Sequence, residues 1–243
     1  MKKTLASIAL ITATTLSMPL MAAYKVVDVS NGGSISGKIN FTGKDKAPQI
    51  YKVAKDTDTC GTENRAIDYV DVKDGVLRGV VVYLDKVKSG KKFDKIDVKI
   101  DQKGCAFLPF MSVMTNNSMF EATNSDPVLH NIHTYEIMGR AKKTVMNVSQ
   151  PKQGATTKKK VKLKRGAGMK IECDAHDFMH GFVFVAKNPY YAVVAEDGTY
   201  TISDIPAGKY KMKAWHGTLG EKKGKATVTA GGTSTVDFTF KGK

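Results

Sequence analysis

The sequence lacks long apolar runs beyond its first 23 residues, and it lacks the spacing of apolar residues that marks helices. A membrane-spanning helix needs about 20 consecutive apolar residues, so we expect no transmembrane span in the mature chain. Apolar residues recur instead at every second position in many short stretches, which is typical of strands. These absences exclude a helical membrane protein and an all-α fold.

Motifs of common enzyme sites are also missing. The chain has no phosphate-binding loop, no H-E-x-x-H motif and no distinctive pair of carboxylates. Phosphoryl transfer, zinc proteolysis and acid–base hydrolysis depend on such patterns. We therefore expect a protein that is not an enzyme.

The N-terminus has the pattern of a secretory signal peptide. Lys2 and Lys3 precede an uncharged stretch, residues 4–21, which ends before Ala22 and Ala23. A basic start, an apolar stretch and small residues at the cut are the three parts of such a signal. We expect cleavage after Ala23 and export to the periplasm, where nucleic acid is not an expected partner.

Acidic residues are scarce relative to basic ones. The chain has 38 Lys and Arg against 23 Asp and Glu, a net charge of +15, and loss of Lys2 and Lys3 leaves 15 − 2 = +13. This charge favours acidic partners and peripheral contact with an anionic envelope surface. The densest run, "KKKVKLKR" (158–165), indicates either a solvated strand edge that discourages aggregation or a docking patch for an acidic protein.

Cysteines are few, and their neighbours differ. Cys60 and Cys105 lie beside turn-forming residues, whereas Cys173 has His176 and Met179 within seven residues. An exported protein favours paired cysteines, and an odd count leaves one unpaired. The sequence therefore predicts a Cys60–Cys105 disulfide and a free Cys173.

Alternating stretches predict an all-β fold of the sandwich type. Clear examples are "SISGKINF" (34–41), "KIDVKI" (95–100) and "GMKIEC" (168–173), and the last of these points Cys173 inward with the apolar residues. Two stretches, "VVVYL" (80–84) and "GFVFVA" (181–186), are continuously apolar, which predicts strands covered on both faces.

The two ends of the mature chain resemble halves of one carboxypeptidase regulatory-like (transthyretin-like) β-sandwich. "GSISGKINFTG" and "LRGVVVYL" match its opening, and Asp197-Gly198, Tyr200, Pro206-Ala207-Gly208 and Tyr210 match its closing pattern. After the predicted signal peptide (1–23), the resemblance implies a first part of this sandwich (24–92), an inserted middle segment (93–187) and a second part of the sandwich (188–243). A single enlarged sandwich is the alternative.

Soft and borderline metal donors are concentrated in the middle segment. "CDAHDFM" supplies Cys173, His176 and Met179 from one loop, and "LHNIHTY" supplies His130 or His133 about forty residues earlier. Two histidines, a cysteine and a weak methionine are the donor set of blue-copper electron-transfer sites. No Ser-His-Asp set remains once these histidines are assigned to a metal.

These two motifs resemble the copper site of plastocyanin-like and amicyanin-like cupredoxins. The resemblance implies that residues 93–187 form a cupredoxin-like copper domain, a Greek-key β-sandwich with one Cu(I)/Cu(II) ion per chain. Asp177 stands where the family usually has proline. The resemblance also implies that Asn131 ties the two ligand segments together and that His176 is the solvent-edge ligand and electron exit. The ligands that it implies are His130, Cys173, His176 and Met179.

The other histidines are assigned lesser roles. We interpret His133 as a strand residue or a partner of a ligand, His180 as an exposed bystander and His216 as a structural or surface residue.

The predicted function is that of a periplasmic type 1 (blue) copper protein that carries single electrons, similar to methylamine-utilisation-type periplasmic proteins. Its expected partner is an acidic redox protein, such as a c-type cytochrome or a periplasmic dehydrogenase. The alternatives are a periplasmic protein that binds and delivers copper, and a metal-free structural or adhesion module.

Overall fold

The computed structural model describes residues 24–242, so the predicted signal peptide lies outside the described residues. These residues are nearly all β, as the alternation predicted, and contain one short helix. Within residues 24–242, no helix has the length and apolar character needed to span a membrane. The elements are β1 Lys25–Val26, β2 Gly33–Thr42, β3 Gln49–Tyr51, α1 Thr57–Cys60, β4 Arg65–Ile67, β5 Val72–Lys73, β6 Val76–Leu77, β7 Val80–Asp85, β8 Ser89–Gly90, β9 Val98–Gln102, β10 Phe107–Leu108, β11 Met111–Thr115, β12 Met119–Asn124, β13 His130–Met138, β14 Ala141–Gln150, β15 Thr156–Lys160, β16 Gly168–Glu172, β17 His180–Ala186, β18 Tyr191–Val193, β19 Thr199–Ile205, β20 Gly208–His216, β21 Gly220–Val228, β22 Thr233–Thr235 and β23 Phe238–Lys241.

Strands β9 to β17 form two sheets that enclose one core, which we call the middle sandwich. One sheet has the order β10-β9-β12-β15 and the other the order β11-β17-β16-β13-β14. Alternate residues of each strand enter the core because side chains of a strand point to opposite faces. Met169 and Ile171 of β16 are buried there, whereas Lys170 and Glu172 between and after them are only half-buried.

Strands from both ends of the chain form a second pair of sheets, the end sandwich. One sheet has the order β18-β7-β20-β21, and the other has the order β19-β2-β22, with β23 also paired to β2. Its core is formed by apolar side chains such as Ile35, Ile39, Leu84 and Met212. The boundaries of the proposed domains stay a prediction.

The two continuously apolar stretches lie where the sandwiches meet. In β17, Val183 and Val185 enter the core of the middle sandwich, whereas Phe182 and Phe184 enter a third cluster with Val81 of β7. Trp215 of β20 belongs to the same cluster. Both faces of β17 and β7 are therefore covered, as their unbroken apolar sequences predicted.

Residues 49–67, which contain β3, α1 and β4, are here called the capping segment. They lie between two strands of the end sandwich in sequence, yet Val53 and Cys60 pack in the core of the middle sandwich. The predicted disulfide joins Cys60 to Cys105, and Cys173 is free and buried. The disulfide thus ties the capping segment to the middle sandwich.

Two details of the strand interpretation need correction. The alternation of "KIDVKI" (95–100) places Ile96 on one strand face with Val98 and Ile100, but Ile96 precedes β9 and is exposed. The basic run "KKKVKLKR" is in a strand only as far as Lys160, at the edge of its sheet, and Val161 beyond it turns into the core.

Candidate metal centre

The sheet register brings the two ligand segments together. Strand β13 pairs antiparallel with β16, with His133 opposite Glu172, so the start of β13 lies beside the end of β16. His130 is the first residue of β13, and Cys173 directly follows β16. The loop from β16 to β17 then carries His176 and Met179. The backbone hydrogen bonds between β13 and β16 therefore place His130 beside Cys173.

Three of the four predicted ligands converge on one point. The ligand atoms of His130, Cys173 and His176 all lie within 4.8 Å of one another, and all three residues are buried. The two Nδ1 atoms of His130 and His176 are 3.2 Å apart, and Cys173 Sγ is 3.8 Å from His176 Nδ1. Zinc-like bond lengths would hold two nitrogens of a tetrahedral shell about 3.3 Å apart and sulfur about 3.5 Å from each nitrogen. The three donors thus stand at the spacing that a shared ion requires.

Met179 closes the loop through its backbone. The Cys173 N–H donates to the Met179 carbonyl at 3.3 Å, and the Met179 N–H donates to the His176 carbonyl at 3.1 Å. The Met179 side chain is buried in the core of the middle sandwich. Its role as a ligand stays a prediction.

Asp126 orients the first histidine. Its Oδ2 lies 2.8 Å from His130 Nε2, and its carboxylate also accepts the backbone N–H groups of Gly104 and Cys105. Burial alone would raise the pKa of Asp126, but the hydrogen bonds from Cys105, His130 and Gly104 outweigh it and lower that pKa. The carboxylate is therefore ionised at neutral pH and accepts a hydrogen bond from the Nε2–H of His130. Cys105 is close to these groups, but its sulfur is in the disulfide and is no thiolate donor.

Asp56 orients the second histidine in the same way. Its Oδ2 lies 2.9 Å from His176 Nε2, across 120 positions of sequence. Burial lowers the pKa of His176, with the nearby His130 adding to the effect against the Asp56 carboxylate. Burial thus opposes a second proton on the ring.

These contacts settle which nitrogen faces the centre. A carboxylate can only accept, so each Nε2 carries the proton and each Nδ1 presents a lone pair. Two inward lone pairs 3.2 Å apart repel unless a cation lies between them. Carboxylates on the outer nitrogens are the usual partners of metal-bound histidines. The residues therefore fit a bound metal ion.

Asn131 links the two ligand segments, as the sequence resemblance implied. Its backbone N–H donates to Cys173 Sγ at 3.3 Å, and its side-chain carbonyl accepts the Asp174 N–H at 3.3 Å. Burial raises the pKa of the Cys173 thiol, against the hydrogen bonds from Asn131 and the loop backbone. A thiolate at this position needs a positive partner, which a metal ion supplies.

The expectation that His176 lies at the solvent edge is wrong. Its side chain is 0% exposed, because the capping segment covers it through Asp56. Arg65 anchors that segment by donating to the Cys60 carbonyl at 2.6 Å and the Gly104 carbonyl at 2.8 Å. The residues that neighbour His176 in the sequence do not indicate that residues 49–67 cover it.

The remaining histidines are not part of the convergence. His133 lies 2.9 Å from Asp174 and stacks on Tyr135, outside the three-donor group. His180 is not the exposed bystander that was expected, because its side chain is 11% exposed and packs against Tyr51 and Tyr69. The fifth histidine, His216, is buried in the end sandwich.

Sequence reasoning missed both carboxylates. Asp126 stands four residues before His130, and that spacing could have suggested it as a partner of the ring. Asp56 has no such signal. The departure that the sequence did show, Asp177 beside His176, is exposed, and its side chain is not the carboxylate that contacts the ring.

Comparisons with known proteins gave partial matches. The sequence profile of polysaccharide lyase family 4, domain II, matches residues 174–236, about a quarter of the chain. No curated protein matches.

Over 40% of its length the chain is similar to a copper-containing nitrite reductase from Thermus scotoductus SA-01 (15% identity, TM-score 0.31), of which it covers 24%. Over 37% it is similar to a purple cupredoxin from Nitrosopumilus maritimus (18% identity, TM-score 0.32), covering 100% of that chain. Over 39% it is similar to a reduced Cu(I) form of an amicyanin variant (16% identity, TM-score 0.30), covering 87% of that chain. The function proposed below rests on the side-chain geometry of the middle sandwich.

Proposed function

We propose that this protein is an exported mononuclear type 1 copper protein that carries single electrons. The observation that carries the proposal is the convergence of His130, Cys173 and His176 within 4.8 Å, with both Nδ1 lone pairs directed inward. These three residues would hold the ion, and Met179 would supply a weak fourth contact. It is proposed as a carrier rather than an enzyme because four protein donors leave no open position for a substrate.

The donor types favour copper. Thiolate sulfur suits Cu(I), and imidazole accepts both oxidation states, so this set supports a one-electron couple. Copper, when bound, supplies that couple. Burial raises the pKa of the Cys173 thiol, so the thiolate would need a bound cation such as copper to stabilise it.

The chain's own residues keep the donor positions constant. Asp126 and Asp56 fix the two imidazole planes, and Asn131 fixes the cysteine sulfur through its N–H. Donors that are held by hydrogen bonds to buried or half-buried groups move little when the charge at the centre changes. The capping segment excludes water from His176, which further limits rearrangement.

We propose an acidic redox protein as the partner, such as a c-type cytochrome or a periplasmic dehydrogenase. The support is the charge of +13 that remains without the two lysines of the signal peptide. Electrostatic steering between opposite charges speeds association and weakens as salt rises.

Addition of Cu(II) to the metal-free protein tests the proposal. We expect one equivalent to produce an intense absorption band at about 600 nm from thiolate-to-copper charge transfer. The Cys173→Ser substitution should abolish this band. His133→Gln is the matched control, because His133 is near the centre but outside the three-donor group, and this variant should keep the band. Full colour in Cys173→Ser, or tight copper binding without colour in the parent, would refute the type 1 assignment.

The buried ligands also separate the carrier from the two alternatives. A delivery protein should give up its metal quickly to chelators, whereas ligands that are 0% to 3% exposed should release it slowly. A metal-free structural module should melt at the same temperature with and without copper. A ligand that binds only the folded state raises the melting temperature, and we expect this rise.

A further inference from the structure

A cavity away from the metal centre opens where the two sandwiches meet. It has a volume of about 560 Å³ and lies between the end of β7 and the end of β17. Tyr24, residues 164–167 and Lys213 of β20 complete its wall. Pockets of about 300–1,000 Å³ are the size that holds small organic ligands. The cavity is built from five separate parts of the chain, so its shape depends on the junction between the sandwiches.

The floor of the cavity is apolar and aromatic. Tyr83, Val87 and Ala167 are half-buried and leave apolar surface in the cavity, and Phe184 of β17, which is 1% exposed, also lines it. The Phe184 ring is packed on Tyr83, which also lines the cavity, and on Trp215 beneath it, with ring centroids 5.2 and 5.7 Å away. This packing fixes the floor, so it is available to the body of a ligand without rearrangement.

The rim of the cavity is strongly basic. One acidic residue, Asp85, lines it, and that carboxylate lies 3.8 Å from Lys213. Among the described residues, no carboxylate lies within 4.0 Å of the side-chain nitrogens of the other cationic residues of the rim. The Glu136 carboxylate accepts the backbone N–H groups of Arg165 and Gly166 at this wall. The cationic residues still outnumber the nearby carboxylates, so an anion in the cavity would relieve their mutual repulsion. These residues are Lys86, Lys88, Lys164, Arg165 and Lys187.

We propose that this cavity binds a small organic anion with an aromatic body, such as an aromatic carboxylate or sulfonate. The body packs against Tyr83 and Val87, and the acidic group faces Lys164 and Arg165. An arginine can hold a carboxylate or sulfonate with two parallel hydrogen bonds. The site uses no residue of the metal centre and is independent of the function proposed above.

The test uses 8-anilinonaphthalene-1-sulfonate with the intact chain. Its uncharged counterpart, N-phenyl-1-naphthylamine, has the same aromatic body without the acid. We expect saturable binding of the sulfonate and energy transfer from Trp215, the single tryptophan of the sequence, which contacts the floor residue Phe184. The uncharged compound should bind at least about tenfold more weakly, because it gains nothing from the cationic rim.

A double charge reversal locates the site. Lys164→Glu/Arg165→Glu should weaken binding of the sulfonate at least about tenfold, and both residues are exposed, so the fold should tolerate the change. Lys99→Glu/Lys103→Glu is the matched control, with the same change in net charge at exposed positions outside the cavity. Equal weakening by the two pairs, equal binding of the uncharged compound, or no saturable binding would each overturn the proposal.

Discussion

His130 and His176 in the middle sandwich are as buried as His216 in the end sandwich, but their rings meet different partners. In the middle sandwich, carboxylates take the outer nitrogens and leave two Nδ1 lone pairs facing each other. In the end sandwich, His216 Nδ1 accepts the backbone N–H groups of Thr218 and Leu219. The inner nitrogen of His216 thus has backbone donors, whereas the two Nδ1 atoms of the middle sandwich face each other, an arrangement that a bound cation stabilises. Burial of a histidine therefore says little until the partners of both nitrogens are known.

The cores of the two sandwiches also differ in how many polar residues they bury. Of the fourteen polar or charged residues buried in the described part of the chain, twelve lie between Gln102 and His176. Buried polar groups cost free energy unless they are paired. Some of these residues form hydrogen bonds that lead to His130, from Gln102 through Gln150, Asn124 and Asp126. The end sandwich is stabilised mainly by apolar packing. This contrast indicates that the middle sandwich is specialised for a site and the end sandwich for stability.

The largest effect expected on this contrast comes from removing the disulfide. In Cys60→Ala/Cys105→Ala, the link across 45 positions is lost. The unfolded chain then gains entropy worth about 4 kcal/mol in the free energy of unfolding. Urea unfolding measures this loss, and hydrogen exchange should locate it in the capping segment and the middle sandwich.

The parent protein treated with a reductant is the control for the same loss without substitution. We expect hydrogen exchange to become faster in the capping segment first. If it became faster in the strands of the end sandwich first, the two regions would not behave separately.

A smaller effect is expected from acid on the end sandwich. Burial lowers the pKa of His216 to about 4, against about 6.5 in an unfolded chain. The unfolded state therefore binds more protons between these values, and stability falls as the pH drops from about 6.5 to about 4. The loss from this group reaches up to about 3 kcal/mol.

Denaturant unfolding at several pH values measures this dependence. His216→Gln should remove its share of the acid loss, because glutamine does not titrate, whereas the partly exposed His133→Gln should keep it. An unchanged pH slope in His216→Gln would show that the buried ring does not stay neutral in the folded state.

The smallest effect concerns the carboxylate from the capping segment. Asp56→Ala removes the acceptor for His176 Nε2, and loss of such a partner typically weakens metal binding about 10–100-fold. Competition with a copper chelator measures the affinity. Asp58→Ala is the matched control, since it removes an exposed carboxylate from the same segment and lies outside the contacts of His176. Equal affinities in the two variants would mean that the cover does not support the site.

Much of the candidate site was visible in short patterns. The alternation of "GMKIEC" predicted that Cys173 points inward, and the resemblance of "LHNIHTY" and "CDAHDFM" to cupredoxin sites implied that His130, Cys173 and His176 converge. Both hold because strand periodicity and neighbouring loops are local properties of a sheet. Ile96 was misplaced for a related reason, because alternation does not reveal where a strand begins.

The sequence by itself determined the all-β fold, the disulfide pair and the donor types, because side-chain periodicity and chemistry are carried by neighbouring residues. Only the tertiary structure decided that Asp56 returns over His176 and that the ligand expected at the surface is covered. It also decided that the basic residues at the ends of β7 and β17 surround one cavity. Contacts across 120 positions depend on how whole sheets pack, and no short stretch of sequence records that packing.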